Sequence, residues 1–306
     1  MEFSVLTYNV DGLPETLDLN DLPWIFKPIV WIYKWIKKTT IIRINDNVDT
    51  ATKMKSVSSY LNYSKVDIIG VQEDFNYHTE LTEFLQNHNE ATYAGGFDLA
   101  NVFSSMTWFP IPRFKADGLE LFTKKNRVEV KEEDIIGWKH SHGYFSNAND
   151  KLTHKGFRYY SLKVDGYDVD LYLLHMDADF YNPEDWPDVS GDIEARKKQF
   201  TQLTKYILKR GVERPTIIIG DTNSTDKYVW DVDNVKEYLL TPINNVSSYH
   251  IKEALPENYI DVDRIFYINN SDLDYQLHVS ECYFDKSVCL SDHTPLIAIF
   301  KIVSSK

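Results

Sequence analysis

The feature that most constrains the fold is a set of short apolar runs, each with polar groups at one end. Phe3–Val10 contains Tyr8-Asn9 just before the turn Asp11-Gly12. Val66–Val71 runs into Gln72-Glu73, and Val169–His175 closes on a histidine. Pro215–Gly220 leads into Asp221-Thr222-Asn223. Val262–Ile268 starts beside Asp261 and contains Asp263, and Thr294–Ile302 is preceded by Ser291-Asp292-His293. Continuous apolar runs bounded by turn residues read as strands buried on both faces, and sheets of that kind need helices to cover them. Residues 49–63 and 77–89 carry helical patterns. Ser190–Leu208 is the clearest helix, with Ser190 expected as its N-cap. Gly118–Thr123 and Phe157–Val164 add strands. Strands and helices alternate early, and strands dominate late, which predicts an α/β fold with mixed sheets.

With 306 residues, no repeat and no Gly/Ser or Pro linker, the chain reads as one domain over 1–306, interrupted by an aromatic, cationic insertion at 22–38. No run of about 20 apolar residues is present, as a spanning helix would need. A net charge of −13 argues against binding driven by bulk attraction to nucleic-acid phosphates. Cys282 and Cys289 are too few for a disulfide framework, and one bridge or two free thiols remain open. The N-terminus shows no signal-peptide pattern, and the compartment, secreted or cytosolic, stays open.

Polar groups at the ends of buried strands converge where α/β proteins build sites. Glu73, Asp292 and Asn9 supply oxygens that suit a hard divalent cation such as Mg²⁺. His175 and His293 can serve as a base and as an anion stabiliser near neutral pH. No Ser/His/Asp or cysteine nucleophile set is evident, so the chemistry reads as metal-assisted attack of water on phosphorus.

The order LTYNV (6–10), GVQE (70–73), LLH (173–175), GDTN (220–223), DVDRIF (261–266) and SDH (291–293) resembles the endonuclease/exonuclease/phosphatase superfamily over almost the whole chain. Within it, DIIGVQEDFNYHTELTEFL (67–85), ADGLELFTKK (116–125), LTHKGFRYYSLKV (152–164), HMDAD (175–179) and EARKKQFTQLTKYI (194–207) look like the neutral sphingomyelinases of phospholipase C type. The resemblance implies a four-layered α/β/β/α sandwich of two packed mixed sheets. It implies Mg²⁺ at Glu73 with Asn9 beside it, Mn²⁺ or Co²⁺ serving as substitutes. It makes His293 the general base, Asp263 the group that orients it, and Asp292 part of the metal and water network. His175 and Asn223 would hold phosphoryl oxygens, and Asp221 would lie near the leaving oxygen. The threonine of GDTN replaces a more usual apolar residue.

The implied reaction is sphingomyelin hydrolysis to ceramide and phosphocholine. The alternatives are an endonuclease or DNA-repair phosphodiesterase, a small-molecule or inositol phosphatase, and a membrane-binding or toxin-like interaction protein. The stretch after His175 is acidic and aromatic (Asp177, Asp179, Tyr181, Glu184, Asp185, Trp186, Asp188), which repels a polyanion and suits a quaternary ammonium head group. Tyr181 and Trp186 are the expected head-group contacts. In 23–38, PWIFKPIVWIYKWIKK, Trp31 and Trp35 lie among lysines, the residues that anchor at a bilayer interface, so a phospholipid surface is the expected partner. No obligate protein partner is evident.

Overall fold

The computed structural model describes residues 1–12, 50–75, 77–93, 117–142, 150, 153–178, 189–225, 229–256 and 261–305. The strands are β1 (Glu2–Asn9), β2 (Ile68–Gln72), β3 (His88–Glu90), β4 (Glu120–Lys124), β5 (Val128–Gly137), β6 (Gly156–Val164), β7 (Tyr167–His175), β8 (Thr216–Asp221), β9 (Tyr249–Glu253), β10 (Asp263–Asn270), β11 (Tyr275–Phe284) and β12 (Leu296–Ser304). They form two six-stranded mixed sheets, in the orders β11-β12-β1-β2-β4-β3 and β5-β6-β7-β8-β10-β9. The helices are α1 (Thr50–Ser64), α2 (His78–Thr82), α3 (Ser190–Arg210) and α4 (Val229–Val235). A π-turn at Lys236–Leu240 joins α4 to α5 (Thr241–Asn244).

Alternation along the central strands explains the layers. Val5, Ile68, Leu121, Leu171, Leu173, Ile217, Ile219 and Ile265 pack between the sheets. Their neighbours Leu6, Ile69 and Val71 turn outward against Met54, Val57 and Leu61 of α1. Tyr172, Leu174 and Ile218 turn outward against Phe200, Leu203 and Ile207 of α3. Successive strand residues face opposite ways, so an unbroken apolar run is what a sheet covered on both sides requires. The result is the expected α/β/β/α sandwich. The sheets approach closely at Gly70, where an added Cβ would lie 2.6 Å from Ile219 Cδ1 and 2.7 Å from Leu173 Cδ1.

Two local expectations are corrected. The helix expected over 77–89 is helical only over His78–Thr82. Beyond the buried anchors Leu81 and Leu85 the apolar spacing stops, and the chain turns into β3, which pairs with β4. Ser190 is the first helical residue of α3, not its cap. Val189 occupies the cap position without a side-chain hydrogen bond, and Gly211, at φ 80°, ends the helix.

Candidate active site

Topology explains why scattered sequence signals meet. β1 and β2 are parallel, so Asn9 and Gln72 finish side by side, while β12 runs antiparallel to β1 and starts at that same end. In the other sheet β7 and β8 are parallel, with His175 opposite Asp221. β10 is antiparallel to β8 and begins with Asp263 opposite the same Asp221. Strands running one way therefore end where strands running the other way begin.

Side chains close the gap between the sheets. Asn9 Nδ2 donates to Glu73 Oε1 at 3.1 Å and to Asp221 Oδ2 at 3.0 Å. His175 Nε2 lies 3.8 Å from Glu73 Oε1 and 3.5 Å from Asp221 Oδ2. His293 Nδ1 is 2.6 Å from Asp263 Oδ2, and its Nε2 is 3.9 Å from Asp221 Oδ2. Ser291 ties the last loop to β1, its Oγ donating to the Asn9 carbonyl at 2.8 Å and accepting from the His293 N–H at 3.2 Å. Glu73 and Asn223 both adopt left-handed backbone, at φ 65° and 50°. Non-glycine residues rarely take that conformation, and it recurs at functional sites. At Gly220 an added Cβ would lie 2.0 Å from the Leu174 carbonyl, so only glycine lets β7 and β8 approach just before Asp221.

Burial sets the electrostatics. It raises the Glu73 carboxyl, against the pull of the Lys155 ammonium and the Asn9 hydrogen bond. Burial lowers His175 well below the ordinary histidine value, and the Lys155 and His293 cations lower it further, so this ring is neutral. Burial also pulls His293 down, but the Asp263 carboxylate outweighs it and pushes the imidazole up to about 11. The Asp263 carboxyl is itself raised by burial, against the pull of His293.

The sequence-predicted residues are not all placed alike. Asn9, Glu73, His175, Asp221, Asp263 and His293 come together. Asn223 adjoins them, but its Nδ2 donates to the Met176 carbonyl at 3.0 Å and its backbone N–H to Asp221 Oδ1 at 2.8 Å. Asp292 is exposed, and its Oδ1 accepts from Ser291 Oγ at 3.3 Å. Asp177, expected in a head-group loop, instead is fully buried. Its Oδ1 accepts from Gln199 Nε2 and its Oδ2 from the His142 N–H, both at 2.5 Å. Arg196 Nη1 donates to the Asp177 carbonyl, so the R-x-x-Q face of α3 clamps the chain just after His175. Tyr181, Trp186, Trp31 and Trp35 lie outside the described residues.

Sequence reasoning missed Lys155 and Asp150 as site residues. Lys155 Nζ lies 2.5 Å from Asp150 Oδ1 and donates to the Met176 carbonyl at 3.3 Å, the carbonyl that also holds Asn223. Its charge acts on both Glu73 and Asp221. The available signal was Lys155-Gly156 within the family-like segment; Asp150 carried none. The two cysteines are free thiols.

The donor set fits a divalent cation. Asp221, Asp263 and His293 offer ligand atoms within 4.8 Å of one another, and Glu73 adds a partly buried carboxylate. Asn9 turns its NH₂ to the carboxylates and its Oδ1 to the Asp11 N–H. To offer oxygen to a cation there, the amide must turn over.

No protein-family model matches the chain. A sphingomyelinase from Mycobacterium tuberculosis is 23% identical over 322 aligned residues, covering 99% of this chain and 53% of that protein. The chain thus spans about half the length of the curated relatives it matches. Among solved structures, beta toxin from Staphylococcus aureus with bound magnesium ions is 14% identical at a TM-score of 0.60, covering 97% of this chain and 99% of that one. D. rerio TDP2 in complex with a single-strand DNA product is 14% identical at 0.58, covering 98% and 99%. The chain carries the fold of the endonuclease/exonuclease/phosphatase proteins, and within them it resembles the sphingomyelinase branch.

Proposed function

We propose that the chain is a metal-dependent phosphodiesterase that hydrolyses sphingomyelin to ceramide and phosphocholine. The observation that carries this reading is the convergence of the His293–Asp263 pair and a neutral His175 on the Glu73–Asp221 carboxylates. Mg²⁺ held by Glu73, with Asp221 and the turned Asn9 amide beside it, would neutralise charge on the phosphoryl oxygens. Asp263 accepts from His293 Nδ1, which leaves Nε2 facing the cluster to take a proton from water. A cation beside Asp221 would bring the raised His293 down towards the range a base needs. His175 can donate one N–H to a phosphoryl oxygen without bringing a charge of its own. Asn223 reaches the same oxygens once its amide leaves the Met176 carbonyl. Asp221, at the end of β8, would meet the leaving oxygen.

The choice of substrate rests on the mycobacterial sphingomyelinase likeness and on the net charge of −13, which disfavours a polyanion. The test is phosphocholine release from sphingomyelin vesicles, with Mg²⁺ and with EDTA, beside plasmid nicking. Release with Mg²⁺ that EDTA abolishes is expected. Nicking without release transfers the reading to a nuclease, and release that persists in EDTA removes the metal.

A further inference from the structure

We infer that the protein has a second divalent-cation site, built by Asp74, His78 and Glu120, which shares no residue with the active-site cluster. Asp74 directly follows Glu73, and the two carboxylates enter different groups. The Asp74 N–H donates to the Gly118 carbonyl at 3.0 Å, so the loop after β2 is fixed against the segment entering β4. There the ligand atoms of Asp74, His78 and Glu120 lie within 4.8 Å of one another.

Three observations point to a cation. Asp74 and Glu120 are 1% and 0% exposed, and Asp74 Oδ1 and Glu120 Oε2 have no hydrogen-bond partner. Buried polar atoms are normally satisfied, so two orphaned carboxylate oxygens in one cluster call for a ligand. The nearby buried cation does not serve them by contact. Arg158 directs Nε and Nη2 to Asp117 at 2.8 and 2.7 Å and Nη1 to the Thr92 carbonyl at 2.6 Å. The histidine already has the arrangement of a metal ligand backed by an outer carboxylate. His78 Nε2 lies 3.0 Å from Glu90 Oε1, its Nδ1 lies 2.5 Å from Asp74 Oδ2, and Tyr93 stacks on its ring at 3.6 Å. A cation can take the place of the proton between Nδ1 and Asp74, while Glu90 keeps the ring in position. One proton leaves as the ion enters.

Two carboxylates and one imidazole favour Mn²⁺, Co²⁺ or Zn²⁺ over Ca²⁺ and Mg²⁺, which prefer oxygen throughout. Two of the three ligands, Asp74 and Glu120, are buried, so its role is structural: it locks the turn in which the Phe75 N–H donates to the Glu73 carbonyl at 2.8 Å.

The test uses the full chain with Glu73→Gln, which weakens the active-site metal, stripped with chelator and titrated with Mn²⁺ by electron paramagnetic resonance. One Mn²⁺ equivalent is expected, and its loss when Asp74→Asn and Glu120→Gln are added. No binding by the Glu73→Gln protein, or binding that survives the two added changes, overturns the site. If those changes prevent folding, Co²⁺ titration of the Glu73→Gln protein decides by nuclear magnetic resonance. The His78 ring signals must move with the first equivalent, and a silent His78 overturns the site. None of these outcomes depends on which phosphodiester the enzyme cleaves.

Discussion

Glu73 and Asp74 open two acidic clusters that treat their histidines in opposite ways. Around Glu73, burial and the cations Lys155 and His293 hold His175 neutral. Around Asp74, burial also lowers the histidine, but hydrogen bonds and charge from Asp74 and Glu90 raise His78 above its ordinary value. The acidic residues are similar; the buried cation is not. Lys155 faces the Glu73–Asp221 pair, whereas Arg158 is fork-bonded to Asp117 beside the other cluster. A neutral imidazole next to carboxylates can polarise a substrate. A charged one between two carboxylates is a counter-ion, until a metal takes the place of its proton. The same residue types thus make chemistry in one place and a clamp in the other.

The sharpest way to break this division is to remove one histidine from each side. His293→Ala should lower the turnover number by about 10²–10⁴-fold, the usual share of a general base. His78→Ala should leave the chemical step close to wild type, measured in single-turnover assays with saturating metal. Equal losses would mean that the two clusters act as one.

Next in size is the removal of the buried cations. Lys155→Met leaves Asp150 buried without its ion pair, and Arg158→Met does the same to Asp117. Breaking one side of a buried pair costs about 3–5 kcal/mol, so both variants should unfold at lower urea. They should differ in function. Lys155→Met should also cut turnover, because its charge acts on Glu73 and Asp221 and its ammonium shares the Met176 carbonyl with Asn223. Arg158→Met, assayed below its melting temperature, should keep turnover. Loss of activity in Arg158→Met but not in Lys155→Met would reverse the assignment.

The first cluster was legible in the sequence and the second was not, for a structural reason. Asn9, Glu73, His175, Asp221, Asp263 and His293 lie at or just beyond the ends of central strands, whose apolar runs stand out because both faces are buried. Glu120 begins a strand and is buried among apolar neighbours, and Asp74 reads as an ordinary loop residue. The same logic explains the missed elements. β3, β5, β9 and β11 are the outermost strands of the two sheets. β5 and β11 are largely open to solvent and mix charge into their pattern, as edge strands do to avoid pairing with other chains. The face of α3 that holds Asp177 was visible as R-x-x-Q, but its partner was not, because a clamp between a helix and a loop leaves no periodic trace.

The smallest effect, and the most direct reading of the two charge states, is titration of metal-free protein in EDTA. His175 has a folded value well below its ordinary 6.5, so below about pH 6.5 the unfolded chain binds a proton that the folded one refuses. Its contribution to stability is complete above that pH and is lost as the pH falls. His88, buried with Nε2 against the Val66 carbonyl at 2.8 Å, is also lowered and adds a slope of the same sign. His78 is raised from 6.5, so above that pH the folded chain keeps a proton that the unfolded chain has released. Its contribution is complete below about pH 6.5 and is lost as the pH rises through the folded value. Each group can contribute at most about 1.4 kcal/mol per pH unit within its window. Urea unfolding across pH should therefore show His175→Gln flattening the acid side and His78→Gln flattening the alkaline side. If His78→Gln changes only the acid side, the ring between Asp74 and Glu90 is neutral, and the contrast between the two clusters fails.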